Sequence, residues 1–338
     1  MSEFPQEWDF LFGVIVLLTS TIGIPANLLS FAYFKRRETR NTNNTYFKRI
    51  YRVITLNDLM ICLAVLPTIE PAFSADRASR LFSLAWFCNV WSGVWWGLSQ
   101  FSIFLVGLLS FSRLLLLRYP TLQLNPSLAY ILPGACFSIM LLSFFSLLLS
   151  PLMFTAYFPD FMICSTSRFS RVNTSRLVTQ RELDNGLAIM ILYNIVPGLC
   201  IVQIGMSLLL SLIFLKLAEK ASTSTSVKRQ QKAAKTVMLM TLLYVVFNLP
   251  YQFVISLETR KLIETEDIGE ITVQDYLENF IIKSTNSLFF NHYFTAVVYV
   301  ICVSFNSMIN PAVYFWRMTD FRRWVLRKIN VRISNSEY

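Results

Sequence analysis

The 338-residue chain is 54% apolar and only 15% charged, and its mean hydropathy is +0.51; a soluble domain carries roughly 25% charge. A soluble globular fold is therefore excluded. The net charge of +10 does not point to nucleic acid, because no nuclear-localisation context, glycine-rich phosphate loop or metal-spaced Cys/His cluster accompanies it.

Seven apolar stretches, at 10–34, 51–73, 84–117, 128–153, 186–217, 233–257 and 289–316, are long enough to cross a hydrocarbon core, which takes about 20 helical residues. The acidic segment Met1–Asp9 lacks the positive flank of a cleaved signal peptide, so the first span is expected to be a retained signal-anchor. The second span carries Asp58, the only acidic residue in the middle of an apolar helix. Charges at bilayer depth are costly and usually functional and partnered. The third span runs from Cys88 to Arg113 over 25 residues, roughly 37 Å of helix and enough to reach from one headgroup region to the other. The third and fifth spans exceed the minimum, which fits tilt or extension into water. The fifth and sixth carry Pro197 and Pro250, each of which removes an i→i−4 bond and kinks its helix. The seventh ends in Asn310-Pro311-Ala-Val-Tyr314, followed by the amphipathic run Phe321-Arg-Arg-Trp-Val-Leu-Arg327. The longest gaps leave no room for a second soluble domain.

Charge sets the expected topology. Seven basic residues lie in 35–52, two are Arg113 and Arg118, six lie in 216–235 and six in 317–332, so 21 of the 30 fall on one side. Basic residues collect in short cytoplasmic loops, which places the N-terminus outside and the C-terminus inside. The inner face then carries +17 and the outer face −6, and such an inner face suits anionic membrane lipid and acidic cytoplasmic partners. On this topology Asn173-Thr174-Ser175 is an outward glycosylation sequon, whereas Asn43-Asn44-Thr45 lies inside and stays unmodified. Of the six cysteines, Cys62, Cys136, Cys200 and Cys302 fall within apolar spans and read as small core residues. Cys88 and Cys164 lie at the outer boundary, where an oxidising exterior favours their pairing.

A cysteine at the outer end of the third helix and an arginine at its inner end resemble the layout of the rhodopsin-like (class A) G-protein-coupled receptors. The resemblance extends over nearly the whole chain. Gly23-Ile-Pro-Ala-Asn27 is similar to the family's helix-one motif, and Leu56-Asn-Asp-Leu59 to its helix-two signature in shortened form. Pro197 and Pro250 match its helix-five and helix-six prolines, Asn310-Pro311-Ala-Val-Tyr314 its Asn-Pro-x-x-Tyr motif, and the run after 320 its short eighth helix. The chain departs from the pattern in helix three, where Ser112-Arg113-Leu114 has no acid beside the arginine, and in helix six, where Asn248 stands for the usual tryptophan in Phe247-Asn248-Leu249-Pro250. Helix four has no tryptophan, and Gly205 and Met206 occupy the stretch where helix five usually has a tyrosine. The helix-six end, 227–235, also lacks an acid. Arg113 is therefore expected to lack ionic restraint and basal signalling to be raised, unless Tyr314 or a helix-six hydroxyl caps it.

The expected polar centre joins Asp58 to Ser102, Asn306 and Asn310. Asp58, Ser102 and Asn306 lie ten or eleven residues from the inner end of their helices, roughly 15 Å by helical rise, and Asn310 lies one turn further in. Asn306 and Asn310 share a face. Carboxylate, hydroxyl and amide oxygens are hard ligands suited to Na⁺ with waters. The resemblance implies an allosteric sodium ion at these positions, and the alternative is a protonated Asp58 in a structural hydrogen-bond network. The resemblance also implies that Pro197, Ile103 and Tyr244 connect a ligand pocket to the inner side, where Arg113, Pro311 and Tyr314 serve G-protein coupling; ordinary packing is the alternative role for that connector. Helix six, kinked at Pro250 beside Asn248 and ending in Lys228-Arg-Gln-Gln-Lys232, is the expected lever.

For the ligand, the opsin position for a retinal-binding lysine is Ser304, and the amine-receptor aspartate position is Trp95, which argues against a retinal or biogenic-amine ligand. The expected pocket is Glu70, Trp95, Trp96, Ser99, Asn248 and Gln252, beneath an aromatic cluster that includes Trp86 and Trp91. An interfacial aromatic belt is the plainer role for these tryptophans. The loop 258–283 holds seven acids, Glu258, Glu264, Glu266, Asp267, Glu270, Asp275 and Glu278, against three bases. An acidic mouth attracts cationic ligands and aromatics stack on arginine, so a basic peptide of neuropeptide type fits best. A small hydrophobic chemosensory ligand is the rival, and the acidic loop has a bland reading as a solvated surface. His292 is read as a headgroup-level residue.

The expectation is an all-α, integral membrane seven-helix bundle. Residues 1–9 form the extracellular N-terminus, 10–316 the receptor domain and 317–338 an amphipathic eighth helix with a short cytoplasmic tail. It is expected in the plasma membrane, to be no enzyme and, apart from allosteric Na⁺, to need no cofactor. Its partners are an extracellular ligand, a heterotrimeric G protein and membrane lipid, with no nucleic acid. The alternatives are a non-signalling decoy or scaffold with the same fold, and a seven-helix transporter. Against a transporter stand one central acid and no internal repeat.

Overall fold

The computed structural model describes residues 13–36, 42–68, 85–119, 121–148, 198–216, 231–247 and 292–328. Among them the only regular structure is helical: α1 (Gly13–Lys35), α2 (Thr42–Ala64), α3 (Ala85–Arg118), α4 (Leu128–Leu148), α5 (Gly198–Lys216), α6 (231–247), α7 (His292–Arg317) and α8 (Thr319–Lys328). Helices α1, α5 and the 97–118 part of α3 are long and apolar enough to cross a membrane by length and composition alone. Pro197, Pro250 and the acidic 258–283 segment lie outside the described residues.

Local chemistry explains how polar residues tolerate these helices. In α1, Thr19, Ser20 and Thr21 each return the hydroxyl proton to the carbonyl four residues back, at 2.8, 2.9 and 2.8 Å, so no hydroxyl seeks a distant partner. A π turn at Thr19–Gly23 precedes Pro25, whose ring lacks a donor and crowds the Thr21 carbonyl. Helix α3 has 34 residues, about 51 Å of rise, and so outruns a hydrocarbon core of about 30 Å.

Helix α2 begins nine residues earlier than the hydropathy pattern suggests, at Thr42 rather than 51. The reason is packing. Tyr46, Phe47, Ile50, Tyr51 and Ile54 recur at helical spacing and are all buried, while Lys48, Arg49 and Arg52 occupy the remaining face. Asp58 therefore lies 16 residues from the start of α2, not about ten.

Helix α2 packs on α1, α3, α4 and α7, and α1 also packs on α7. The main core cluster joins Phe34, Tyr46, Phe47, Tyr51, Leu105, Leu109, Val237, Met240 and Tyr314 with Phe321 and Val325 of α8. Those two α8 residues, one turn apart, are buried, while Arg323, Arg327 and Lys328 are exposed. The expected amphipathic eighth helix is thus formed and seated on α1 and α7 through Phe321, whose ring lies 5.1 Å from Tyr33 and 6.4 Å from Tyr314. Arg36 stacks over Trp324 at 5.5 Å.

Candidate functional site

The polar centre forms where α1, α2, α3 and α7 meet. Asn310 donates through Nδ2 to Asp58 Oδ2 at 2.8 Å, and Asp58 is 1% exposed. Ser307 faces the same carboxylate, although its hydroxyl has no hydrogen-bond partner. Asn27 of α1 donates to the Ser307 carbonyl at 3.0 Å and points the same amide at Cys62 Sγ, 3.8 Å away. This close approach depends on Gly23, because a Cβ there would stand 2.8 Å from Cys62 Sγ.

Ser102 is buried in this region but accepts from Asn57 Nδ2 at 2.7 Å, and the same amide donates to the Leu98 carbonyl at 3.1 Å. Sequence reasoning placed Ser102 directly with Asp58 and passed over Asn57 and Ser307. Both lie next to, or one turn from, residues already singled out, and helical spacing alone could have raised them. Asn306 is buried, 3% exposed. Of the residues joined to or beside this centre, Asn27 Oδ1, Asn57 Oδ1 and Ser307 Oγ have no hydrogen-bond partner. Buried oxygens left unsatisfied are costly, and hard oxygens around one carboxylate are the donor set that a small cation with waters would satisfy. The residues present thus fit sodium. No group of three His, Cys, Asp or Glu side chains occurs among the described residues, which leaves no transition-metal centre there.

At one end of the bundle, Trp91 donates from Nε1 to the Ala64 carbonyl at 2.6 Å and ties α3 to the end of α2. Its ring stacks on Trp95 at 6.0 Å and 12°, and Trp95 is fully buried. These two tryptophans are buried between helices. Ser99 is buried one turn further on. Glu70, Asn248, Gln252, Cys164 and Asn173, and the side chains of Trp86, Cys88 and Trp96, lie outside the described residues.

Between the two ends, Ile103 and Tyr244 pack in one cluster with Val106 and Ile204 of α3, α5 and α6. At the other end lies Arg113. No acid meets it among the described residues. Its guanidinium instead lies 3.4 Å from the centroid of the Phe47 ring. Ser112 donates to the Leu108 carbonyl at 2.7 Å and accepts from the Tyr46 hydroxyl at 2.8 Å. Where an acid was not expected none is found among the described residues, and an aromatic face on α2 lies against Arg113. Tyr314 does not cap Arg113, because its ring is enclosed by Phe34 at 5.2 Å and Tyr51 at 5.5 Å. Tyr46 and Phe47 escaped the sequence reading because 35–52 reads as a basic loop. Arg113 also borders a small crevice of about 10 Å³, lined by Ser110, Ser207, Ser211 and Thr241 of α3, α5 and α6. Gly205 and Met206 point away from the core, so serines of α5 face the arginine.

Helices of membrane-spanning length around a buried carboxylate, with an arginine crevice between three of them, describe an integral membrane protein. The model of the 7 transmembrane receptor (rhodopsin family) matches residues 27–314, and the chain belongs to that family. It is a multi-pass plasma-membrane G-protein-coupled receptor. A comparison with curated proteins finds no match. The family is one of signalling receptors that bind extracellular ligands and G proteins.

Proposed function

We propose that this receptor carries a signal from a basic extracellular peptide to a heterotrimeric G protein. The N-terminus faces outside, residues 1–9 lie in the extracellular space, 10–316 form the receptor domain, and 317–338 lie on the cytoplasmic side. The observation that carries the coupling half is the crevice at Arg113, bordered by α3, α5 and α6. An outward movement of α6 would widen it and present the guanidinium to the carbonyl ends of a partner helix, which it can meet with several donors at once. The ligand half rests on the seven acids of the 258–283 segment and on the tryptophans of α3. Glu70, Trp95, Trp96, Ser99, Asn248 and Gln252 are the proposed pocket, with Cys88–Cys164 as the disulfide over it and Asn173 as the glycosylation site.

Sodium bound at Asp58, with Ser102, Asn306 and Asn310 and with the orphaned oxygens of Asn27, Asn57 and Ser307 nearby, would hold the resting arrangement. A ligand that prefers one state shifts the population toward it. A second-messenger screen of the expressed receptor against a library of amidated basic peptides, with lipids and small hydrophobic odorants in parallel, tests the reading. Responses confined to the hydrophobic set would overturn the peptide assignment.

A further inference from the structure

The family assignment leaves open what holds Arg113 at rest in a chain with no acid at 112 and none in 227–235. We infer that Phe47 and Tyr46, at the start of α2, are positioning residues that park Arg113 in the resting receptor; the inference rests on the coupling role proposed for Arg113.

Two places for the arginine are visible. One is the Phe47 ring, 3.4 Å from the guanidinium carbon, a separation at which the flat cation lies against the π face. Phe47 is 3% exposed, so the contact is shielded on the ring side. The other is the crevice between α3, α5 and α6, which at about 10 Å³ has room for a water and takes the guanidinium only once the helices part. There Ser110 and Thr241 have spent their hydroxyl protons on their own helices, at 3.0 Å to the Gly107 carbonyl and 2.8 Å to the Val237 carbonyl. They therefore face the crevice as acceptors. Arg113 Nε is buried without a partner in the parked position, so leaving the ring for the acceptors gains hydrogen bonds while losing the stack.

Tyr46 fixes the geometry of the first position. Its hydroxyl donates to Ser112 at 2.8 Å, and Tyr46 is 2% exposed. The bond pins the start of α2 to the residue beside Arg113 and so keeps the ring of Phe47 under the guanidinium. Ser112 thereby has a use that an acid would serve differently: its oxygen accepts from α2 while the arginine is held by the next residue of that same helix. An aromatic clamp of this kind does not titrate near neutrality and is less sensitive to salt than a surface ion pair.

The test uses the full-length receptor, purified into lipid nanodiscs, as wild type, Phe47→Leu, Phe47→Trp and Tyr46→Phe. Two rates are read: modification of Arg113 by phenylglyoxal, followed by mass spectrometry, and basal nucleotide exchange on G proteins of the four α-subunit classes. Phe47→Leu keeps an apolar side chain but removes the π face. It is expected to raise both rates by about five-fold, the shift that loss of an ordinary cation–π contact gives a two-state population. Phe47→Trp, which restores the face, should return both to wild type, and Tyr46→Phe should raise both by less than Phe47→Leu.

Unchanged Arg113 modification in Phe47→Leu, or an equal rise in Phe47→Trp, would overturn the inference and make Phe47 a packing residue only. Should Phe47→Leu yield no folded receptor, Tyr46→Phe decides in the same sense, since it keeps the ring and removes only the hydroxyl. A rise in modification with exchange at the receptor-free rate for every variant would leave the clamp standing and remove the coupling role instead.

Discussion

The approach of α1 to α2 at Gly23 gives a prediction whose magnitude can be worked from contacts. A Cβ at Gly23 would stand 2.8 Å from Cys62 Sγ and 3.8 Å from Met308 Cβ. Comfortable heavy-atom contact is about 3.5–4.0 Å, so Gly23→Ala forces an overlap with Cys62 approaching 1 Å. Overpacking of that kind costs about 1–3 kcal/mol, towards the low end if Cys62 can turn its thiol. Against it, Ala gains about 1 kcal/mol over Gly in helix propensity. The single mutant should therefore lose no more than about 2 kcal/mol, which is a weak test. The coupling to Cys62→Ala is the sharp one, because propensity and thiol burial cancel from a double-mutant cycle. The expected coupling is about 1–3 kcal/mol, with the double mutant more stable than additivity allows. Thermal unfolding of the four purified receptors in one detergent measures it. Additivity within about 0.5 kcal/mol would refute the close helix approach, and with it the placing of Asn27 against Cys62.

Sodium should raise the melting temperature of the wild-type receptor relative to equimolar potassium and lower agonist affinity, and Asp58→Asn should abolish both effects; equal responses in wild type and mutant would show that the ion acts elsewhere. Trp91→Phe keeps the stack on Trp95 but strands the Ala64 carbonyl, and should destabilise by about 1–2 kcal/mol, read as a lower melting temperature; no change would mean that the 2.6 Å bond is not formed. Cys88→Ser and Cys164→Ser should each lower surface expression or ligand affinity by the same amount, and non-reducing peptide mapping that finds both thiols free in the wild type would end that assignment. Ser112→Asp places a carboxylate beside Arg113, adds an ionic restraint, and should lower basal exchange at matched expression; an unchanged rate would mean that Arg113 does not limit it.

The helices were legible in the sequence because hydropathy and bilayer thickness fix their length and number. Their positions follow within a few residues for α3, which spans Ala85–Arg118, and α7, which spans His292–Arg317. The start of α2 was not legible. Its first turns lie among lysines and arginines, and only the burial of Tyr46, Phe47 and Ile50 against α3 reveals that the helix continues there. Asp58 and Asn310 do meet, although the depth count behind that expectation started α2 nine residues too late. Ser102 has the right depth but bonds Asn57, because depth gives the layer and not the angle around the helix axis, and a neighbouring amide on α2 competes for the hydroxyl. What holds Arg113 could be read only in part. The absence of an acid is plain in the sequence, but its replacement by a ring on another helix depends on tertiary contact between residues 66 positions apart.

The most direct measurement is nucleotide exchange on purified heterotrimeric G proteins of the four α-subunit classes, catalysed by this receptor in nanodiscs and compared with empty nanodiscs. The account predicts acceleration on at least one class, abolished by Arg113→Ala in a variant that still folds. An exchange rate equal to that of empty nanodiscs with every class, from folded receptor with and without Phe47→Leu, would contradict it.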